Sequence, residues 1–287
     1  MFGGIPTDRT IISPAPEPGF INREAFNRRK PLHETFNRFV AAHHEALGAP
    51  TIHSVRIFYP EREILFSETT HMGVAAAEEI FLRNRVPYGY LVAYPDAPVA
   101  VPDGTEVIVV PGLVSLSDAQ IKALVAWAKK GGRLVVTGDA GRYDDWNAQR
   151  FENTFLPQLK GLPNVVVRAC ADEIKGAVLN WRYTVPPPKD GGRALMADLA
   201  KVGWRAPVRF EGLPPHIFAE YRQMTNGSLA VHLVNYDPDH PATNARVVQG
   251  GKVTFEEPFG ADASVRTLAE GATIPPFKFY ALLTVTP

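Results

Sequence analysis

Apolar and polar positions follow two regimes along the chain: helical and strand patterns in alternation, then strands alone. The opening GGIPTDRTIISPAPEPG has four prolines and little periodicity, so it reads as a loop or an arm. From Asn22 the spacing becomes helical. Phe26, Phe36, Phe39, Val40 and His43 share much of one face, and Gly48 and Pro50 supply a stop. One long helix is predicted over Arg23 to Leu47, offset at Pro31. Its apolar face must be buried against something, and the residues before it offer little cover.

Thr51 to Phe58, TIHSVRIF, alternates and is β-branched, which predicts a strand. Gly73 to Arg85 reads as a helix and Val86 to Tyr94 as a strand. Val107 to Val110 is a continuous apolar run, the pattern of a parallel strand buried on both faces. Ser117 and Gln120 then have capping-box spacing. Ile121, Leu124, Val125 and Ala128 form the stripe of a helix that Gly131 and Gly132 stop. Arg133 to Thr137 and Asn164 to Arg168 read as two more strands. This alternation implies parallel βαβ units with right-handed crossovers, and so a doubly wound α/β sheet.

At Pro186-Pro187-Pro188 and Gly191-Gly192 the composition shifts, and a short helix is expected over Ala194 to Val202. Beyond it the stretches IFAEYRQMT, SLAVHLVNY, VTFEEPF, ASVRTLA and KFYALLTV read as short strands of a small antiparallel β-sandwich. Asn226-Gly227 marks a tight hairpin, and Gly250-Gly251 another turn. The expected division is 1–50 for the arm and helix, 51–205 for the α/β domain and 206–287 for the sandwich.

Composition narrows the function classes. The 30 basic and 30 acidic residues cancel, which argues against a nucleic-acid or anionic-membrane binder. The longest apolar runs, such as Val107 to Val110 and Ala281 to Val285, are too short to span a bilayer. The start has no basic segment followed by an apolar core, so no signal peptide is expected. Cys170 is the single cysteine, which rules out an internal disulfide and an all-cysteine metal site. A soluble, cytoplasmic chain is the expectation.

Ligands of open α/β sheets gather beyond the carboxyl ends of the strands. The loop after Thr137, GDAGRYDDW, lies at such an end and supplies Asp139, Arg142, Tyr143, Asp144 and Trp146 as candidate binding residues. Two readings stand side by side. Its aspartates satisfy backbone donors in a solvated turn, or the aromatic and charged groups contact a carbohydrate or a neighbouring subunit. In class I glutamine amidotransferase-like domains this strand-to-helix turn carries a nucleophilic cysteine. Thr137-Gly138-Asp139-Ala140-Gly141 occupies a similar place here, with Asp139 in the cysteine's slot.

Cys170 has no histidine placed beside it and reads as a small buried hydrophobe. His43 and His44 point about 100° apart on a helix, and His33, His216, His232 and His240 form no two-histidine motif, so no metal is expected. No phosphate loop or dinucleotide fingerprint is present, and no cofactor is expected. Glu61, Glu63, Glu68, Glu256 and Glu257 read as surface charge rather than as a facing pair suited to glycoside hydrolysis.

EVIVVPG followed by LSDAQIKALVAWAKKGGRLVVTGDAGRYD resembles the amidotransferase-like middle domain of family 42 β-galactosidases, often called the trimerisation domain. AVHLVNYD and the final FYALLTV strand are similar to the small β-sandwich that closes those enzymes. The segment before residue 50, with FNRFVAAHHEAL, looks like the last helix of their (β/α)8 barrel. The resemblance implies a flavodoxin-like sheet, a homo-oligomer such as a trimer, or a catalytic-barrel partner. Family enzymes carry both catalytic glutamates on the barrel, so no catalytic residue is carried onto this sequence. The expected role is a non-catalytic, oligomerisation and support region of a glycoside hydrolase. The alternatives are a free-standing hydrolase or amidotransferase-like enzyme using the Gly138 to Trp146 loop, and a sugar-binding module with Trp146 or Trp181 as platform.

Overall fold

The structure is a computed structural model that describes residues 34, 37–169, 171, 190–236, 252–255, 272–273 and 280–285. Most of the Arg23 to Leu47 helix prediction, Cys170, Trp181, the ASVRTLA strand, Glu256, Glu257, His33 and His240 lie outside these residues.

The apolar run at Val107–Pro111 (β3) sits at the centre of a five-stranded parallel sheet, with all five of its residues buried. Its neighbours give the order β2-β1-β3-β4-β5, where β1 is Val55–Pro60, β2 Tyr88–Ala93, β4 Arg133–Thr137 and β5 Val165–Arg168. Val55 pairs with Tyr88 on one side and Val107 on the other, while Val107 pairs with Arg133 and Leu134 with Val165. The chain runs from β1 outward to β2, then returns past β1 to β3. Direction therefore reverses between β1 and β3. The crevice beyond the carboxyl ends of those two strands is the topological switch point.

Helices follow local signals. One-turn α2 (Glu63–Phe66) and long α3 (Glu68–Asn84) join β1 to β2, and α4 (Asp118–Lys129) joins β3 to β4. At the start of α4 the capping box closes as expected. Ser117 Oγ accepts from the Gln120 N–H at 3.2 Å, and Gln120 Oε1 accepts from the Ser117 N–H at 2.9 Å. Ile121, Leu124, Val125 and Ala128 are buried, as predicted.

Other boundaries move. α3 begins at Glu68, not Gly73, because Ser67 caps it by accepting from the Thr70 N–H. Its first turn, ETTH, carries no apolar stripe to announce it. β1 starts at Val55, since Thr51 instead makes an isolated bridge to Arg222. The winding is also incomplete, because β2 and β3 are joined by residues 94–106 without a helix. Pro95, Pro98 and Pro102 explain this, as each removes a helix donor and disfavours the helical conformation before it. Between β4 and β5 the helix is a single turn, α5 (Leu156–Leu159).

Gly73 fixes how closely α3 approaches the sheet. A Cβ there would overlap the Pro111 carbonyl, so the helix crosses the end of β3 with backbone nearly touching backbone. Val74, Ala77, Ile80 and Phe81 fill the space alongside. α6 (Arg193–Lys201) adds Leu195 and Leu199 to the same core, and its buried Asp198 takes Arg168 at 2.7 Å and Lys201 at 3.1 Å.

The later strands are β6 (Val208–Glu211), β7 (Ile217–Gln223), β8 (Leu229–Asn235), β9 (Lys252–Phe255), β10 (Ala272–Thr273) and β11 (Tyr280–Val285). They form two three-stranded antiparallel sheets, β10-β9-β6 and β11-β8-β7. Val208, Ile217, Tyr221, Leu229, Val231 and Leu233 make a second, smaller core. The β7–β8 turn at Asn226-Gly227 closes with Gly227 N–H donating to Met224 C=O at 3.1 Å and Gly227 at φ +81°. Asn226 keeps a negative φ and Gly227 alone is left-handed, so the pair does not form the two-residue type I′ turn.

Arg85 ties the two units together. It caps α3 at φ +55°, and its guanidinium donates to the carbonyls of Ile217 at 2.9 Å, Leu213 at 3.0 Å and Pro214. Tyr221 Oη returns a bond to the Arg85 carbonyl at 2.6 Å. A helical stretch over residues 37–42 precedes α1 (His44–Gly48), which is held to β8 by His232 Nε2 on the Ala46 carbonyl at 3.2 Å. Burial pulls the pKa of His232 down, so the ring is neutral and structural. No helix among the described residues is long and apolar enough to cross a membrane.

Candidate functional site

The loop after β4 is built from backbone bonds first. Thr137 is fully buried, and its Oγ1 and carbonyl both accept from the Gly112 N–H at 3.0 Å. Gly138 follows at φ +74° and donates to the Arg168 carbonyl at 2.9 Å, which turns the chain sharply off the strand end. The elbow expected from Thr137 to Gly141 therefore forms, and it presents Asp139 to solvent. Asn153 Nδ2 donates to Asp139 Oδ1 at 3.1 Å and to the Ala140 carbonyl at 2.8 Å. Asp139 is thus an exposed carboxylate steadied by an amide.

The other four candidates lie on a compact turn. Tyr143 N–H donates to Val114 C=O at 2.9 Å and Leu116 N–H to Tyr143 C=O at 3.1 Å, stitching the turn to the segment after β3. Arg142 is half-buried, and its carbonyl takes the Arg150 N–H at 3.0 Å. Asp144 Oδ1 accepts from the N–H groups of Trp146 at 2.9 Å and Ala148 at 2.8 Å. Its carboxylate is spent on its own turn, which favours the solvated-turn reading for this residue. Among the described residues, no hydrogen bond or ion pair joins the side chains of Asp139, Arg142, Tyr143, Asp144 and Trp146 to one another. Replacing Asp144 with alanine should loosen the turn by about 1 to 2 kcal/mol. Amide exchange at Trp146 and Ala148 will then rise while β4 exchange stays unchanged.

Trp146 is 68% exposed, and the Arg62 guanidinium lies 4.3 Å from its ring centroid. Arg62 also pairs with Asp145, which pins the turn to the connection after β1. A second arginine works nearby: Arg150 Nη2 donates to the Leu116 carbonyl at 2.8 Å, and Nη1 meets Asp118 at 2.6 Å.

Glu63 departs most from expectation. Glu61 and Glu68 are exposed as predicted, but Glu63 is 1% exposed, at the switch point immediately after β1. Neither carboxyl oxygen has a hydrogen-bond partner among the described residues. Gln120, also buried, is committed to Ser117 through Oε1 and to the Ala93 carbonyl through Nε2 at 3.3 Å. Burial is the main force raising the Glu63 pKa above the ordinary carboxylate range, and the Asp145 charge adds to it. Its own backbone amide, Gln120 and Arg62 lie near enough to temper the rise without forming an aligned bond. The signal that could have found it is positional, the first turn after a central strand beside the switch point.

The same turn is inside out. Leu65 is 74% exposed and Phe66 56%, while the glutamate between them and β1 is buried. Tyr90, Val92 and Tyr94 are exposed on and beyond edge strand β2. Between β2 and α3 runs a groove of about 420 Å³, lined by Tyr59, Ile64, Val74, Tyr90 and Val92 with His71 and Glu78. Among the described residues no group of three or more histidine, cysteine or acidic side chains could hold a metal ion.

No protein-family model matches the sequence, and no curated protein sequence is significantly similar to it. Solved structures share its fold. The α-L-fucosidase isoenzyme 2 of Paenibacillus thiaminolyticus superposes with a TM-score of 0.56 at 12% identity, over 86% of this chain and 51% of its own. The β-galactosidase of Rahnella sp. R3 gives 0.55 at 14% identity over 90% and 44%, and that of Marinomonas ef1 gives 0.53 at 11% over 92% and 43%. The chain therefore spans about half the length, or less, of these glycoside hydrolase chains, and it has the fold of that part of them.

Proposed function

We propose that this chain is a non-catalytic, oligomerisation and support region of a β-galactosidase-like glycoside hydrolase. The observation that carries the reading is the exposure of the large apolar side chains Leu65, Phe66, Tyr90 and Val92, the last two of which line a groove. Two further features support it. The strand order 2-1-3-4-5 is one that flavodoxin-like sheets use, and the sharp turn at Gly138 is consistent with an amidotransferase-like elbow carrying Asp139 in place of a nucleophile. The solved glycoside hydrolases contain as much chain again beyond the matched part. In this reading 51–205 is the assembly-bearing α/β domain, 206–287 the supporting β-sandwich and 1–50 the remnant of a barrel end. The partner is a further copy of the chain, with a closed trimer as the expected assembly.

Light scattering on the purified chain, with galactoside hydrolysis assayed on the same sample, tests this. The expected result is an oligomer without hydrolysis that Leu65→Asp with Phe66→Asp converts to a folded monomer. A wild-type monomer, or turnover by the chain alone, would overturn it.

A further inference from the structure

Glu63 poses an electrostatic problem that its neighbours can solve in only a few ways. An ionised carboxylate without partners is costly to bury, so the group either keeps its proton or recruits a cation. The cation acting on it is Arg62, the adjacent residue, whose side chain is largely buried. At present Arg62 serves the loop instead, paired with Asp145, stacked on Trp146 and 3.7 Å from exposed Asp96. Yet its Nε is buried and has no partner among the described residues. One unspent donor thus sits on the residue beside two unspent acceptors.

We propose that Arg62 is a proton-operated tether, held by Asp145 and Trp146 while Glu63 is protonated and drawn to Glu63 when that proton leaves. Both arrangements draw on one guanidinium, so a pull toward Glu63 weakens its hold on Asp145 and Trp146. Around Glu63 the charged groups are Arg62 from its own turn and Asp145 from the loop after β4, with Asp96 reaching Arg62 from the loop after β2. α4 faces it with uncharged Gln120, while α3, packed against α2, carries Glu68 and His71 in its first turns. Asp145 opposes ionisation of Glu63 and also competes for Arg62, so it adds to burial in raising the pH at which the tether moves.

The direction follows from linkage. The folded chain holds the Glu63 proton more tightly than the unfolded chain, whose glutamate titrates near 4.5. The associated stability is therefore fully present below that value and falls as pH rises toward and through the folded pKa. Above it Arg62 is drawn to Glu63, and its hold on the Trp146 turn weakens. This inference concerns only the loop and does not depend on what the surrounding surface binds.

Trp146 reports the change directly. Its emission, taken as wild type minus Trp146→Phe, is to be followed from about pH 4 to about pH 9, a range that brackets the carboxylate and imidazole values. A single transition is expected in the wild type. Glu63→Gln should hold the acid-form emission throughout, and Asp145→Asn should move the transition to lower pH. In melting experiments Glu63→Gln should match the wild type at the acid end and exceed it by a few degrees in Tm at the alkaline end. A Trp146 signal without a transition overturns the proposal. So does a transition that persists in Glu63→Gln, which would belong to another group. Parallel Tm profiles for the two proteins would show that Glu63 is not the titrating group.

Discussion

Gly73→Ala will destabilise the chain by about 3 kcal/mol, although alanine in the middle of a helix ordinarily gains up to about 1 kcal/mol over glycine. The reversal comes from the crossing of α3 over β3. A Cβ at this position would overlap the Pro111 carbonyl oxygen and come within 3.3 Å of the Gly112 Cα, and both are backbone atoms that cannot rotate away. The remaining relief is for α3 to lift off the sheet, which loosens Val74 and Ala77 and exposes the end of β3. Urea unfolding of the variant checks this. Gly48→Ala is the companion, since nothing lies within 4 Å of a Cβ there and its stability should change little. A Gly73→Ala variant as stable as the wild type would mean that helix and strand are not in backbone contact.

The second large effect is expected at Arg85. Arg85→Ala removes the fork that gathers the carbonyls of Leu213, Pro214 and Ile217 and should cost about 4 kcal/mol, since bonds to a charged donor are worth more than neutral ones and three acceptors lose it together. Lysine will not restore the loss, because a single ammonium cannot span the fork. The backbone contribution separates by comparison. At φ +55° alanine is strained and glycine is not, so Arg85→Gly should be more stable than Arg85→Ala by about 1 kcal/mol. Unfolding should also change character, with the β7–β8 hairpin melting before the parallel sheet when the two are monitored separately. Equal stabilities for the Ala and Gly variants would show that the left-handed cap is not under strain.

Much of the α/β architecture is legible where the signal is local. The apolar run at Val107 needs two covered faces, Ser117 and Gln120 cap each other across three residues, and Gly131 ends the same helix. Asp139 and Trp146 are exposed, as expected of a polar loop that leaves the carboxyl end of a parallel strand. What escaped depends on distant partners. Arg85 reads as an ordinary helix-end cation, and its acceptors lie 128 to 132 residues away. Glu63 sits in YPEREILF, whose charges look like a solvated turn, and burial is imposed by α3, α4 and the β4 loop meeting over the switch point. The helix-free connection between β2 and β3 is legible in Pro95, Pro98 and Pro102, each of which disfavours a helix.

The uncovered face at Leu65 and Phe66 has a consequence for the chain as a colloid. Its formal charges cancel at neutral pH, with a pI near 7.1, so two copies approaching through that face meet no net repulsion to hold them apart. Short-range apolar contact then governs the encounter, and modest salt has little charge repulsion to screen. Moving the pH to either side of neutrality gives every copy the same sign, and dispersion of the chain should improve in both directions.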